Sequence, residues 1–135
     1  MDILFSEERK LSMEILHTDK APAAIGPYSQ AIEVNGFVFT SGQLGIIPDT
    51  GALAHSMAAQ TVQALENVTA VLKAAGLTLD NVVKTTCYLK SMEDFSLFNE
   101  IYAQYFVNNK PARSCFAVAH LPKDALVEIE VIAAK

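Results

Sequence analysis

Arg113 is the residue best suited to chemistry in this 135-residue chain. There are only two arginines, and the other, Arg9, lies in a charged N-terminal stretch. Arg113 follows Pro111-Ala112 at the start of a β-rich run. A guanidinium grips a carboxylate with two parallel hydrogen bonds, which a lysine cannot match. Read from position alone, a surface or interface ion pair is the simpler reading. Glu128 and Glu130 alternate in the last apolar run. An arginine beside a carboxylate is either a salt bridge or an anion anchor next to a water-activating base. Cys115 invites comparison with a nucleophile, but no Cys-His-Asn pattern accompanies it, and a small core or interface thiol is the simpler reading. Tyr28, Ser41 and Asn99 each carry a hydrogen-bonding group, and none stands out alone.

The elements that must hold these residues are legible from periodicity. Glu14 to His17 reads as a short edge strand. Ala21-Pro22 and Gly26-Pro27 impose an extended, turning segment. Gln30–Val34 and Phe37–Ser41, joined by Asn35-Gly36, read as a hairpin with a type I′ turn. Ser56 is a suitable N-cap for a helix to Ala75, with Met57, Thr61, Leu65, Val68 and Leu72 on one face and Gly76 as the stop. In Asn81–Lys90, Val83, Thr85, Cys87 and Leu89 share a face. A second helix beginning near Ser91–Glu93 presents Phe95, Phe98 and Tyr102, with Tyr105 or Phe106, on one stripe. Arg113–Ala119 and Leu126–Ala134 are the last strands.

This order predicts an α+β domain: a mixed sheet of about six strands with two helices on one face. Residues 1–13 read as a loosely ordered extension and residues 14–135 as one domain. Alternation places Arg113, Cys115 and Ala117 on one face of their strand, and Ser114, Phe116 and Val118 on the other. With the apolar side toward the helices, Arg113, Cys115, Glu128 and Glu130 are expected together on the uncovered side. That side must meet water or another copy.

Composition points the same way. Hydrophobic residues make up 51% of the chain and mean hydropathy is +0.25. A chain of this size buries only about 60–70% of its unfolded surface, so a partner subunit is expected to cover part of the excess. The net charge of −5 disfavours strong nucleic-acid binding. Cys87 and Cys115 lack metal-ligand spacing, and His17, His55 and His120 add none, so no metal site is expected. No apolar run approaches the roughly 20 residues of a membrane span. Reduced thiols and an acidic N-terminus suit a cytoplasmic protein.

Taken together, the stretches Ala21-Pro-Ala-Ala-Ile-Gly-Pro-Tyr-Ser-Gln30, Thr40-Ser-Gly-Gln43, Asn67, Leu72–Gly76, Val82-Val-Lys-Thr-Thr86, Asp94-Phe95, Asn99, Pro111-Ala-Arg-Ser-Cys115, Leu121-Pro-Lys-Asp124 and Glu128-Ile-Glu130 resemble the Rid family, also called YjgF or L-PSP. The resemblance runs from Ala21 to Ala133 and is nearest the deaminase branch. It implies a chorismate-mutase-like fold, a homotrimer with sites between subunits, and hydrolysis of 2-imino acids such as 2-iminobutanoate and 2-iminopropanoate to 2-oxo acids and ammonia. Such an activity clears reactive enamines and imines released by pyridoxal-phosphate enzymes. The site residues it implies are Tyr28, Ser41, Asn99, Arg113, Cys115 and Glu128. Arg113 would clamp the carboxylate, Glu128 would position the attacking water, and the backbone carbonyl of Cys115 would accept from the iminium nitrogen. Tyr28 and Ser41 would line the pocket. No cofactor or metal is implied. Other activities attached to the family, an endoribonuclease or translation inhibitor and a non-catalytic binding or chaperone module, are the alternatives. Two departures are Lys110, where relatives often carry an aromatic residue before the proline, and residues 1–12, which extend beyond the usual start.

Overall fold

A computed structural model of the chain describes residues 12–135. The extension expected over residues 1–13 thus lies, apart from Ser12 and Met13, outside the described residues. The strands are β1 (Met13–Leu16), β2 (Ala31–Val34), β3 (Phe37–Thr40), β4 (Gln43–Leu44), β5 (Val82–Leu89), β6 (Ala112–Ala117) and β7 (Val127–Ala134); the helices are α1 (Met57–Ala74) and α2 (Phe95–Tyr105). The sheet runs β1-β2-β3-β7-β5-β6, with β4 also pairing with β7. Among the described residues only β5 and β6 pair in parallel. They flank α2 in sequence, as a parallel pair requires a long crossover. The architecture is therefore the expected α+β one, with the two-residue β4 as a seventh strand.

The local rules are met where the turns are tight. Asn35 and Gly36 have φ of 52° and 79°, so both central positions of the β2–β3 turn are left-handed, as a type I′ turn demands. The Ser56 side chain accepts from the Ala59 N–H at 3.1 Å and caps α1. From that helix Leu65, Val68 and Leu72 are fully buried, each contributing about 1.5–3 kcal/mol of transfer free energy. They meet Phe98 of α2 and Val127, Ile129 and Val131 of β7 in one core.

Both helices cover one face of the sheet, and among the described residues nothing covers the other. Across the bare face Ile15, Ile32, Phe39 and Ile132 stand opposite one another in four neighbouring strands. Ile15 is 69% exposed and Phe39 43%. An apolar row of this length is unusual for a surface that meets only water.

The structure corrects two details of the alternation. A register shift between Val82 and Lys84 turns Val82 inward and Val83 outward, so Val83 does not share the buried face of Thr85, Cys87 and Leu89. A bulge of this kind adds one residue and resets the period. The second correction concerns β6 and bears on the site.

Candidate functional site

The phase of β6 is opposite to the expected one. Arg113 pairs with Thr85 and Cys115 with Cys87, both of which point into the helix-covered core. Ser114 and Phe116 pair with Thr86 and Tyr88 on the bare face. Glu128 and Glu130, opposite Tyr88 and Thr86, share that bare face. The expectation that Arg113 and Cys115 join Glu128 and Glu130 on one side is therefore wrong. Directly opposed residues lie on the same face of a sheet, so within one chain the arginine and the two glutamates are on different faces.

A charged side chain tolerates the helix side because β6 is the last strand, and α2 supplies aromatic rings beside it. The Arg113 guanidinium lies 4.7 Å from the Tyr102 ring centroid and 5.5 Å from that of Phe95. Its Nη1 donates to Asn99 Oδ1 at 2.7 Å. Tyr102 is itself fixed by a 2.8 Å hydrogen bond with the Thr85 hydroxyl. Ring faces attract the cation and hold it without neutralising it. No carboxylate lies within salt-bridge distance of Arg113 among the described residues. Its charge is oriented and unspent at the mouth of a pocket of about 490 Å3, lined by Asn99, Tyr102, Phe106, Lys110, Pro111 and Arg113 among others.

Cys115 is half-buried on the same side. Burial pushes its thiol above the usual range, opposed by the nearby Arg113 charge. A thiol held protonated is a poor nucleophile.

Of the other residues, Glu128 lies on the bare face, and Tyr28 and Ser41 lie outside the strands, on either side of the β2–β3 hairpin. The Ser41 hydroxyl donates to the Ser29 carbonyl at 2.6 Å, and the Ser41 N–H donates to the Gln30 carbonyl at 2.9 Å. These bonds bind the segment carrying Tyr28 to the end of β3. The Gln30 side chain anchors the segment further, donating to the Pro22 carbonyl at 2.8 Å and accepting from the Thr18 N–H at 2.8 Å. Tyr28 stays 54% exposed. Gly42, next to Ser41, is where Glu128 crosses the backbone: a Cβ there would stand 2.5 Å from Glu128 Oε1 and 2.7 Å from its Cδ. Burial raises the Glu128 pKa, and the charge of Glu130 raises it further. Tyr88 donates to Glu130 Oε1 at 2.9 Å. Burial first, and then the contact with Glu130, push the Tyr88 phenol up to about 12, so it remains a donor.

The expected site residues thus fall into two groups. Arg113, Asn99 and Cys115 group beside α2, with a guanidinium that could receive an anion. Tyr28 and Ser41 belong to the segment at the end of β3, next to Gly42, which Glu128 crosses from the bare face. Glu130, weighed beside Glu128 from sequence, joins Glu128 on the bare face. Gly42, Tyr88, Tyr102 and Phe95 are not singled out by the sequence as site residues, although Gly42 sits in the Ser-Gly-Gln run.

Comparison with known proteins fits this geometry. The family model described as Endoribonuclease L-PSP matches residues 18–135. A RutC family protein of Pyrococcus horikoshii is 51% identical over 123 residues, covering 90% of this chain and 98% of that protein. The chloroplastic Reactive Intermediate Deaminase A of Arabidopsis thaliana is 53% identical over 121 residues, 89% of this chain and 65% of the plant protein. Among solved structures, E. coli TdcF with bound serine superposes with a TM-score of 0.88 at 42% identity, covering 90% of this chain and 98% of that one. The chain belongs to the L-PSP family, also called Rid or YjgF, which includes reactive intermediate deaminases.

Proposed function

We propose that this protein hydrolyses 2-imino acids to 2-oxo acids and ammonia, with 2-iminobutanoate and 2-iminopropanoate as substrates. The observation that carries the reading is Arg113: a guanidinium positioned by Asn99, Tyr102 and Phe95 with no acidic partner among the described residues. Such a group is built to receive a planar anion from outside. The serine bound to TdcF is also a small molecule with a carboxylate next to a nitrogen-bearing carbon.

In the proposed reaction Arg113 clamps the substrate carboxylate and fixes the imine carbon one bond away. Water adds to the protonated C=N carbon, and Glu128 takes a proton from that water. Protonated Glu128 returns that proton to the nitrogen of the tetrahedral intermediate, the C–N bond breaks to release ammonia, and the hydroxyl loses its proton as the C=O of the 2-oxo acid forms. A protonated imine is already electrophilic, so the chemistry requires no metal, organic cofactor or covalent intermediate. The Cys115 backbone carbonyl accepts from the substrate nitrogen, and Tyr28 and Ser41 border the water.

Glu128 of the same chain is on the wrong face for this task. We take the active assembly to be a homotrimer with sites between subunits, in which Glu128 of the partner subunit faces Arg113. The apolar row Ile15, Ile32, Phe39 and Ile132 supports burial of the bare face between copies. Free thiols at Cys87 and Cys115 suit a cytoplasmic setting.

The endoribonuclease reading has the family description behind it. A net charge of −5 and a single arginine among the described residues give it little to grip phosphates with. A binding or chaperone module would share the anion pocket but not turn over substrate. The deciding assay measures 2-oxobutanoate release from a threonine dehydratase reaction with and without this protein. Acceleration is expected, and no change in rate with assembled protein overturns the reading.

A further inference from the structure

The pocket holding Arg113 contains a second cation. Lys110 lines the same cavity of about 490 Å3. It is exposed and has no carboxylate within salt-bridge distance among the described residues. The remaining wall is Asn99, Tyr102, Ala103, Phe106, Val107 and Pro111, with no acidic side chain. In a chain of net charge −5 this is a concentrated positive site. Pro111 disfavours helical backbone at the preceding Lys110 and holds that residue extended at the end of the segment after α2. The cavity is within the roughly 300–1,000 Å3 range of small-molecule sites. A four-carbon imino acid anchored on Arg113 carries no second anionic group to pair with Lys110.

We propose that Lys110 is a specificity-determining residue that recognises a second anionic group, so that the preferred substrates are 2-imino acids with a carboxylate at the far end of a short side chain. This rests on the deaminase reading of the Arg113 pocket. One carboxylate pairs with the guanidinium fork. The other, a few bonds beyond the imine carbon, meets the Lys110 ammonium across the apolar wall. The class of reaction supplying such imines is the two-electron oxidation of acidic amino acids at the Cα–N bond, with a redox cofactor of the supplying enzyme taking the hydride.

The test compares kcat/KM for a five-carbon imino diacid and for 2-iminobutanoate, both generated in situ, in wild type, Lys110→Met and Lys110→Arg. Wild type favours the diacid. Lys110→Met lowers the diacid-to-monoacid ratio about three- to tenfold, through KM, as expected for one partly exposed charge contact; Lys110→Arg restores it. A wild-type preference for the monoacid, or a ratio unchanged in Lys110→Met, overturns the proposal. Calorimetry with the product-like probes 2-oxoglutarate and 2-oxobutanoate separates this from failure of the deaminase reading. If no imine is hydrolysed, tighter wild-type binding of 2-oxoglutarate that is lost in Lys110→Met still upholds the second anchor. Equal binding of the two probes rejects it.

Discussion

The Arg113 guanidinium and the Glu128 carboxylate occupy opposite faces of one sheet, the first under α2 and the second on the bare side. If catalysis needs both, each site must draw them from two copies. Arg113→Ala and Glu128→Gln chains, each inactive alone, should then regain activity when unfolded and refolded together. Random mixing makes both residues wild type in about a quarter of the shared sites. Recovery near that fraction, measured as imine hydrolysis, is the expected result. Activity no higher than the sum of the separate variants would show that the residues do not cooperate across subunits.

Arg113→Lys should lose most activity although charge is kept. An ammonium holds the carboxylate at a point and leaves its rotation free. One lost charge-assisted hydrogen bond costs roughly 1.5–3 kcal/mol, or about ten- to a hundredfold in rate. The check is the hydrolysis rate of a variant whose oligomeric state matches wild type.

Gly42→Ala should impair catalysis without unfolding the domain. The new methyl occupies the space of Glu128 Oε1 and Cδ, so the carboxylate must rotate away while the β4–β7 pairing persists. A falling kcat with a nearly unchanged melting temperature is expected. Wild-type kcat would mean that the carboxylate position is immaterial.

Glu128 has its pKa raised by burial and then by Glu130. As a base it must be ionised, so activity should rise with pH through this elevated value. Glu130→Gln removes the neighbouring charge and should move the acid limb of the pH–rate profile downward. The linked effect on stability has the opposite sense. A carboxyl whose folded pKa exceeds its unfolded one favours the fold below the unfolded value, and that contribution is lost as pH rises through the folded value. Glu128→Gln should therefore be inactive yet at least as heat-stable as wild type at neutral pH. A lower melting temperature would contradict this account.

Cys115→Ala should retain substantial activity, because the thiol is held protonated by burial and only the backbone carbonyl is assigned a role. Activity at background in a folded, assembled variant would show that the sulfur takes part.

Much of this fold is written in local chemistry. Asn35-Gly36 specifies its turn because few other dipeptides accept two left-handed residues. Ser56 and the Met57–Leu72 stripe specify α1 because one face must be buried. What local pattern does not encode is absolute phase. Alternation says that Arg113 and Phe116 face opposite ways, but not which way either faces. The apolar character of Ser114-Cys115-Phe116-Ala117-Val118 suggested the core for Phe116. In the fold Phe116 lies on a bare face that is itself apolar, and its ring packs edge-on against Tyr88 at 5.4 Å. The same limit applied to the candidate site. The residue types were legible one by one, but their division between two faces depends on the β5–β6 register, a contact between strands separated by all of α2.

The place of β6 at the end of the sheet has one more consequence. Among the described residues its outer side offers backbone amides and carbonyls with no neighbouring strand, a template on which another chain could extend the ladder. Lys110, Pro111 and Arg113 stand at the point where such a strand would begin to zip on. The proline withholds a donor, and the two cations repel an identical edge. Positive charges at this end would also disfavour pairing of an identical edge. Discarding them for apolar side chains would endanger solubility as well as turnover.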